Sequence, residues 1–126
     1  MEQVSVLQVD EAVWVNRDQL AQLYTQLGDA NAENVVCRAM EELAIRLAHT
    51  EKLYRENKHE DMRKCARSMT AIAEQIGLGT LARVAKDVVS CIDDTDANAI
   101  AATFARLLRI GEQSLMEIWD IQDLSV

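Results

Sequence analysis

Apolar residues recur along most of this chain at alternating steps of three and four, which places them on one side of an α-helix. The clearest case is the segment 31–56, which predicts one long helix. Its stripe consists of Val36, Met40, Leu43, Leu47, Thr50 and Tyr54. Charged residues fall between these positions. The pattern therefore predicts an amphipathic helix that packs along one face.

The same spacing predicts four more helices, at about 16–27, 59–76, 80–92 and 97–119. Gly28 follows the first of them, as glycine commonly does after a helix C-terminus. Residues after 119 are expected to form a short tail.

Capping residues are predicted at two of these helix starts. Thr80 follows a glycine-containing turn and is expected to cap the fourth helix. The run Asp93–Asp96 is expected to form the next turn and to end in a cap for the fifth helix.

Residues 1–15 have a different pattern, because β-branched valines partly alternate there with polar residues. An extended N-terminal segment is predicted, with Trp14 holding it against the helices or against a second copy of the protein. Residues 16–126 then form a single helical domain. Four long amphipathic helices joined by short loops must be mostly antiparallel neighbours. The predicted fold is all-α, an up-down four-helix bundle with an additional N-terminal helix.

The helix at 59–76 carries the residues of greatest interest. Its apolar stripe consists of Met62, Cys65, Met69, Ile72 and Ile76. At 100° per residue, Arg67 lies nearly opposite that stripe. Arg63, Thr70, Ala71 and Glu74 are expected to share its outward face.

Composition narrows the function classes. The formal net charge is -8, which argues against a nucleic-acid partner and against binding to an anionic membrane. The chain shows neither a signal peptide nor an apolar run of about 20 residues, so a cytoplasmic protein is expected. The three cysteines, Cys37, Cys65 and Cys91, are widely spaced and are predicted to be buried, reduced thiols.

The segment Ala66–Ala71, with the sequence ARSMTA, and the later pair Ile76-Gly77 resemble the core of histidine-containing phosphotransfer (HPt) domains. That family carries Ala-His-x-Leu-Lys-Gly in a bundle helix and a glycine about nine residues past the histidine. The resemblance covers about residues 16–119. It implies a bundle fold and a place in two-component signalling.

Three departures from the family pattern fall at the chemically important positions. Arg67 stands where the family has its phosphorylated histidine, Thr70 replaces the lysine and Ala71 replaces the glycine. Because a guanidinium is always protonated, Arg67 has no lone pair with which to accept a phosphoryl group. The resemblance therefore implies a degenerate module that docks a response-regulator receiver domain or a histidine kinase without carrying phosphate.

The expected docking surface is the outward face of this helix. It comprises Arg63, Lys64, Arg67, Thr70, Ala71 and Glu74. The alternative interpretation is an ordinary solvated face on which the charged residues form ion pairs within the helix.

Two histidines leave a catalytic alternative open. His49 has Lys52 one turn further along its helix, and His59 begins the next helix. Either could act as the phosphoacceptor of an active phosphotransfer protein, although surface histidines without such a role are common. A third alternative is a structural protein that forms a homodimer through its N-terminal segment.

Neither a metal nor a cofactor is expected. Glu56 and His59 have the Glu-x-x-His spacing of di-iron bundles, but that motif occurs in two copies there and only once here. The glycines at 77 and 79 are too close together for a phosphate-binding loop and are predicted to form a turn.

Overall fold

The computed structural model describes residues 11–124, and this part of the chain is all-α, as the sequence predicts. The helices are α1 (Arg17–Leu27), α2 (Asp29–Arg55), α3 (His59–Gln75), α4 (Gly79–Asp93) and α5 (Ala97–Leu124). The extended pairing in this range is a single antiparallel bridge between Val15 and Leu78. None of these helices is both long and apolar enough to cross a lipid bilayer.

Local sequence signals account for several helix ends. The side chain of Asn16 accepts a hydrogen bond of 3.0 Å from the backbone N–H of Gln19 and so caps α1. Gly28 separates α1 from α2 with a φ of 83°, a conformation that glycine adopts without steric cost. Asp96 caps α5 by accepting bonds from the backbone N–H groups of Asn98 and Ala99, each 3.1 Å long.

The predicted N-cap of α4 was wrong, although the helix begins within one residue of the predicted start. Leu78 occupies the N-cap position of this helix and provides no side-chain cap. Thr80 is buried in the first turn, where its hydroxyl accepts a hydrogen bond of 2.7 Å from the backbone N–H of Trp14. Thr80 therefore fixes the N-terminal segment to α4.

The predicted tail after residue 119 was also wrong, because α5 continues through Leu124. Ile121 continues the apolar stripe beyond the predicted end and packs against the core. The hydroxyl of Tyr24 donates a 2.6 Å hydrogen bond to Gln122 Oε1, which ties the last turns of α5 to α1. Helix α2 similarly begins two residues earlier than predicted.

Helices α2 to α5 enclose one core. Each packs against its neighbour in chain order, and α2 also contacts α5, which closes a ring of four helices. Neighbours run antiparallel: Arg46 and Thr50 of α2 meet Ser68 and Cys65 of α3, respectively. The largest fully buried side chains include Leu43, Met62, Met69, Leu81, Leu107, Ile110 and Ile118.

The contact between α2 and α5 depends on close packing at two levels. The rings of Tyr54 and Phe104 stack with their centroids 4.3 Å apart. Nearer the other end, Leu47 packs against Gly111. A Cβ atom at Gly111 would lie 2.6 Å from Leu47 Cδ1, so glycine is what permits this approach.

The described part of the N-terminal segment is extended, and it lies across the turn between α3 and α4. The backbone N–H of Asn16 donates a 2.8 Å bond to the carbonyl oxygen of Gly77. Trp14 covers Gly79, although 59% of its surface remains exposed. Glu11 forms a 2.6 Å ion pair with Arg106 of α5. The other valines of the predicted segment, in residues 1–10, lie outside the described residues.

The N-terminal segment leads into α1, and α1 crosses one end of the ring formed by α2 to α5. Its Gln19 Nε2 donates to the carbonyl oxygens of Glu74 and Gln75, at 2.6 and 3.1 Å. These carbonyls belong to the last turn of α3, where backbone acceptors otherwise lack a partner within the helix. A bundle end is thus covered by α1 and not left to solvent.

The cysteine prediction holds only in part. Cys65 is buried, with its sulfur 3.1 Å from the hydroxyl oxygen of Thr50, and Cys91 is half-buried. Cys37 is exposed on α2, contrary to expectation. None of the three, all within the described residues, forms a disulfide.

Candidate functional site

Four of the predicted docking residues line one groove, which we call the α3/α4 groove. It has a volume of about 470 Å³. Its lining residues are Arg67, Thr70, Ala71 and Glu74 of α3 and Lys86, Val89 and Ser90 of α4. The antiparallel register of the two helices brings these positions together.

Arg67 is exposed beside this groove, as its helical angle predicts. Within residues 11–124 its guanidinium has neither a hydrogen bond nor an ion pair within 4 Å. Its five N–H donors therefore face solvent. The side chain can bind an anionic or carbonyl partner, and it cannot act as a nucleophile.

An ion pair stands at each end of the α3/α4 groove. Arg63 Nε lies 2.7 Å from Asp93 Oδ1, and Lys86 Nζ lies 2.9 Å from Glu74 Oε2. Both pairs join α3 to α4, whereas the alternative interpretation of this face had pairs within α3. Exposed pairs of this kind add little to stability, and their main effect here is to hold the long side chains in place.

The charges at one end of this groove reinforce one another. The hydrogen bond from Arg63 holds the pKa of Asp93 below its usual value, and the nearby charge of Arg67 acts in the same direction. The same bond raises the pKa of Arg63. Asp93 therefore stays ionised and neutralises Arg63, which leaves Arg67 as the guanidinium free to meet a partner.

Thr70 does not lie on the outward face, which corrects the sequence prediction. Only 9% of its surface is exposed, and its hydroxyl donates a 3.1 Å bond to the carbonyl oxygen of Ala66 one turn earlier. Thr70 therefore belongs to the floor of the α3/α4 groove. Ala71, by contrast, is exposed. Because both side chains are small, the groove is shallow beside Arg67.

Lys64 faces a different groove, which we call the α2/α3 groove. This second depression, of about 610 Å³, is lined by Arg46, His49, Lys52, Lys64, Ser68 and neighbouring residues of both helices. Arg46 donates to the hydroxyl of Ser68 over 3.1 Å and pairs with Glu42 over 3.0 Å. The six predicted docking residues therefore do not form one patch.

The two histidines occupy separate places. His49 is exposed in the α2/α3 groove, where Lys52 and Lys64 also lie. His59 is the first residue of α3 and is half-buried. His49 is thus the more exposed of the two histidines and shares its groove with Lys52 and Lys64.

The sequence interpretation missed the α4 half of the α3/α4 groove. Lys86 and Ser90 are four residues apart, off the apolar stripe of α4, and so lie on one face of that helix. This spacing was visible in the sequence. What the sequence left open was which face of α4 lies beside Arg67, because that depends on how the two helices are rotated against each other.

No group of three or more His, Cys, Asp or Glu residues within 11–124 is placed to hold a metal ion. Glu56, part of the single Glu-x-x-His sequence, pairs with Lys58 over 3.3 Å. In comparisons with known proteins, the chain matches no family model, no curated protein and no solved structure.

Proposed function

We propose that this protein is a degenerate HPt-like module of two-component signalling in the cytoplasm. It docks a response-regulator receiver domain, or alternatively a histidine kinase, and carries no phosphate itself. The observation that carries the proposal is the exposed guanidinium of Arg67 beside the shallow α3/α4 groove, where HPt domains have their histidine.

The helix arrangement supports this reading. A ring of four helices, in chain order and antiparallel, with a further helix across one end, is what an up-down HPt-like bundle requires. The residue that replaces the histidine lies on an exposed helix face and not in the core. A partner that recognises HPt domains could therefore approach Arg67 from solvent.

The chemistry of Arg67 favours docking over transfer. A guanidinium can form two parallel hydrogen bonds with one carboxylate, and it keeps its charge throughout the physiological pH range. The α3/α4 groove also carries Lys86, on a protein whose overall net charge is -8. Lys86 is paired with Glu74, so a partner with an acidic pocket would meet the guanidinium of Arg67 as the cation available in this groove.

The proposal is tested by replacing Arg67 with glutamate and titrating receiver domains by calorimetry. We expect affinity to fall by about tenfold or more, as for a charged anchor residue at an interface. The matched control is Arg38→Glu, which makes the same charge change at an exposed position of α2 away from the α3/α4 groove. Equal binding by Arg67→Glu and wild type, or equal weakening by both variants, would refute docking through this face.

Active phosphotransfer through His49 is the second candidate, because His49 is exposed and lies in the α2/α3 groove with Lys52 and Lys64. Incubation with a phosphorylated kinase would then give acid-labile label on the chain. His49→Ala should erase that label and His59→Ala should leave it, whereas the reverse result would assign the role to His59. Any such label would overturn the proposal of a module that carries no phosphate.

A further inference from the structure

A long groove runs between α2 and α5, which are the two helices of the ring that do not form the α3/α4 groove. We call it the α2/α5 groove. Two depressions, of about 440 and 170 Å³, follow one another along it. The apolar lining comes from both helices. It comprises Cys37, Met40, Ala44, Leu47 and Ala48 on α2 and Leu108, Leu115 and Trp119 on α5.

A large apolar side chain is exposed in this groove. Trp119, which lines it, is 61% exposed, and Met116, which lies one turn earlier on α5 and lines neither depression, is 64% exposed. Exposed apolar side chains of this size are typical of surfaces that bind a partner. The exposed tryptophan is also the residue type most often found as an anchor at protein interfaces.

The rim of the α2/α5 groove decides which kind of partner fits. Among the described residues that line it, four carry carboxylates and one, Arg109, carries a guanidinium. The carboxylates belong to Glu33, Glu51, Glu112 and Asp123. A second copy of the chain would place a like-charged rim against this one. An anionic lipid surface would be repelled in the same way.

We propose that the α2/α5 groove binds an amphipathic helix of a partner protein, with an apolar stripe and lysine or arginine on its flanks. The stripe lies over Ala44 and Ala48, whose small side chains allow close approach of a helix, and one end of it packs on Trp119. The basic flanks meet the acidic rim. This inference does not depend on the docking proposed for Arg67.

The test uses two synthetic helical peptides with the same leucine stripe, one flanked by lysines and the other by glutamates. The full-length protein carries Trp14→Phe, so that Trp119 is its only tryptophan. The lysine-flanked peptide should bind saturably, shift the Trp119 emission to the blue, and bind about tenfold or more tightly than the glutamate-flanked peptide at low salt. Absence of saturable binding, or equal affinity for both peptides, would overturn the proposal.

Two matched variants locate the binding site. Ala44→Lys places a bulky cation within the α2/α5 groove, and Ile45→Lys makes the same change at the next residue, which lines the α2/α3 groove. Both positions are exposed, so both variants should fold. Ala44→Lys should weaken peptide binding by about tenfold or more, while Ile45→Lys should leave it within about twofold. Equal effects of the two variants would refute this location.

Sedimentation analysis distinguishes a second copy of the chain from a partner helix as the occupant of the α2/α5 groove. A monomer that binds the lysine-flanked peptide supports the proposal, whereas a dimer dissociated by Trp119→Ala overturns it. Arg67→Glu serves as a further control and should leave peptide affinity unchanged. Failure of peptide binding would thus refute this inference alone, and failure of the Arg67 test would refute only the proposed function.

Discussion

Gly111 is the residue at which the packing between α2 and α5 has least room. A methyl group there would lie 2.6 and 2.7 Å from the two Cδ atoms of Leu47, whose side chain is itself buried. Overpacking of this kind usually costs about 1–3 kcal/mol. Replacing glycine with alanine within a helix stabilises the helix by up to about 1 kcal/mol.

We therefore expect Gly111→Ala to lower the free energy of unfolding by about 1 kcal/mol, as the balance of these two effects. Denaturant titration measures it. In a Leu47→Ala background the clash is absent, so Gly111→Ala should there be neutral or stabilising. A Gly111→Ala effect that is the same in both backgrounds would contradict the proposed contact.

Glu11 gives the stability of the protein a dependence on pH. The hydrogen bond from Arg106 lowers the pKa of Glu11 below its ordinary value of 4.5. A carboxylate with a lowered pKa in the folded state contributes stability above its unfolded pKa and loses it as the pH falls through the folded value. The contribution of a surface pair is at most about 1 kcal/mol.

At neutral pH, Glu11→Gln should therefore be slightly less stable than wild type. The difference should shrink as the pH falls below 4.5, because Glu11 of the wild type then becomes protonated as well. Urea unfolding at a series of pH values measures both curves. A difference that grows towards low pH would have the wrong sign for this ion pair.

At the scale of elements, the contact between the N-terminal segment and α4 can be tested at Gly79. A Cβ atom there would lie 2.5 Å from Trp14 Cε3, and the ring is exposed enough to move away. Gly79→Ala should displace the indole. In a Trp119→Phe background, Trp14 emission should shift to the red and acrylamide quenching should increase. Ser90→Ala, at an exposed position of the same helix, should change neither.

Periodicity predicted every helix in the described range, because a stripe of buried residues repeats at helical spacing whatever the tertiary partners are. The end of α5 was wrong because it depends partly on tertiary contacts. Ile121 continues the stripe past Trp119, and the bond from Tyr24 to Gln122 holds the added residues of the helix. The sequence near residue 119 does not predict the hydrogen bond between Tyr24 and Gln122.

Only the α3 side of the candidate site could be predicted from the sequence. The angle of Arg67 on α3 follows from residue spacing alone, and its exposure agrees with it. Burial of Thr70, which lies at the edge of the stripe, depends on how closely α4 packs against that edge. The partners Lys86 and Asp93 depend on the same packing. The rotation of α3 and α4 about their own axes, relative to each other, is a tertiary property. The apolar stripe of one helix does not specify that rotation to within one residue.

On the scale of the whole molecule, the two proposed surfaces use different pairs of helices. The α3/α4 groove carries Arg67 beside the paired side chains of Lys86 and Glu74, whereas the α2/α5 groove has an acidic rim. Sites that share no residues usually contribute independently to binding. The protein would then act as an adaptor that holds two partners of opposite charge.

Independence can be measured with the double variant Arg67→Glu, Ala44→Lys. It should lose both affinities, each by the factor seen in the corresponding single variant. A receiver domain that binds the wild type should also bind with unchanged affinity when the lysine-flanked peptide is present in excess. Competition between the two would show that the surfaces overlap or are coupled.

The order in which the helices pack has a kinetic consequence. Three of the four contacts in the ring join helices adjacent along the chain, and the fourth, between α2 and α5, is the smallest. Contacts between helices that are neighbours along the chain favour folding within about microseconds to milliseconds. The contact between α2 and α5 should therefore form after those between neighbouring helices. That junction should also open first in native fluctuations, so amide protons along α2 and α5 should exchange with deuterium sooner than those of α3 and α4.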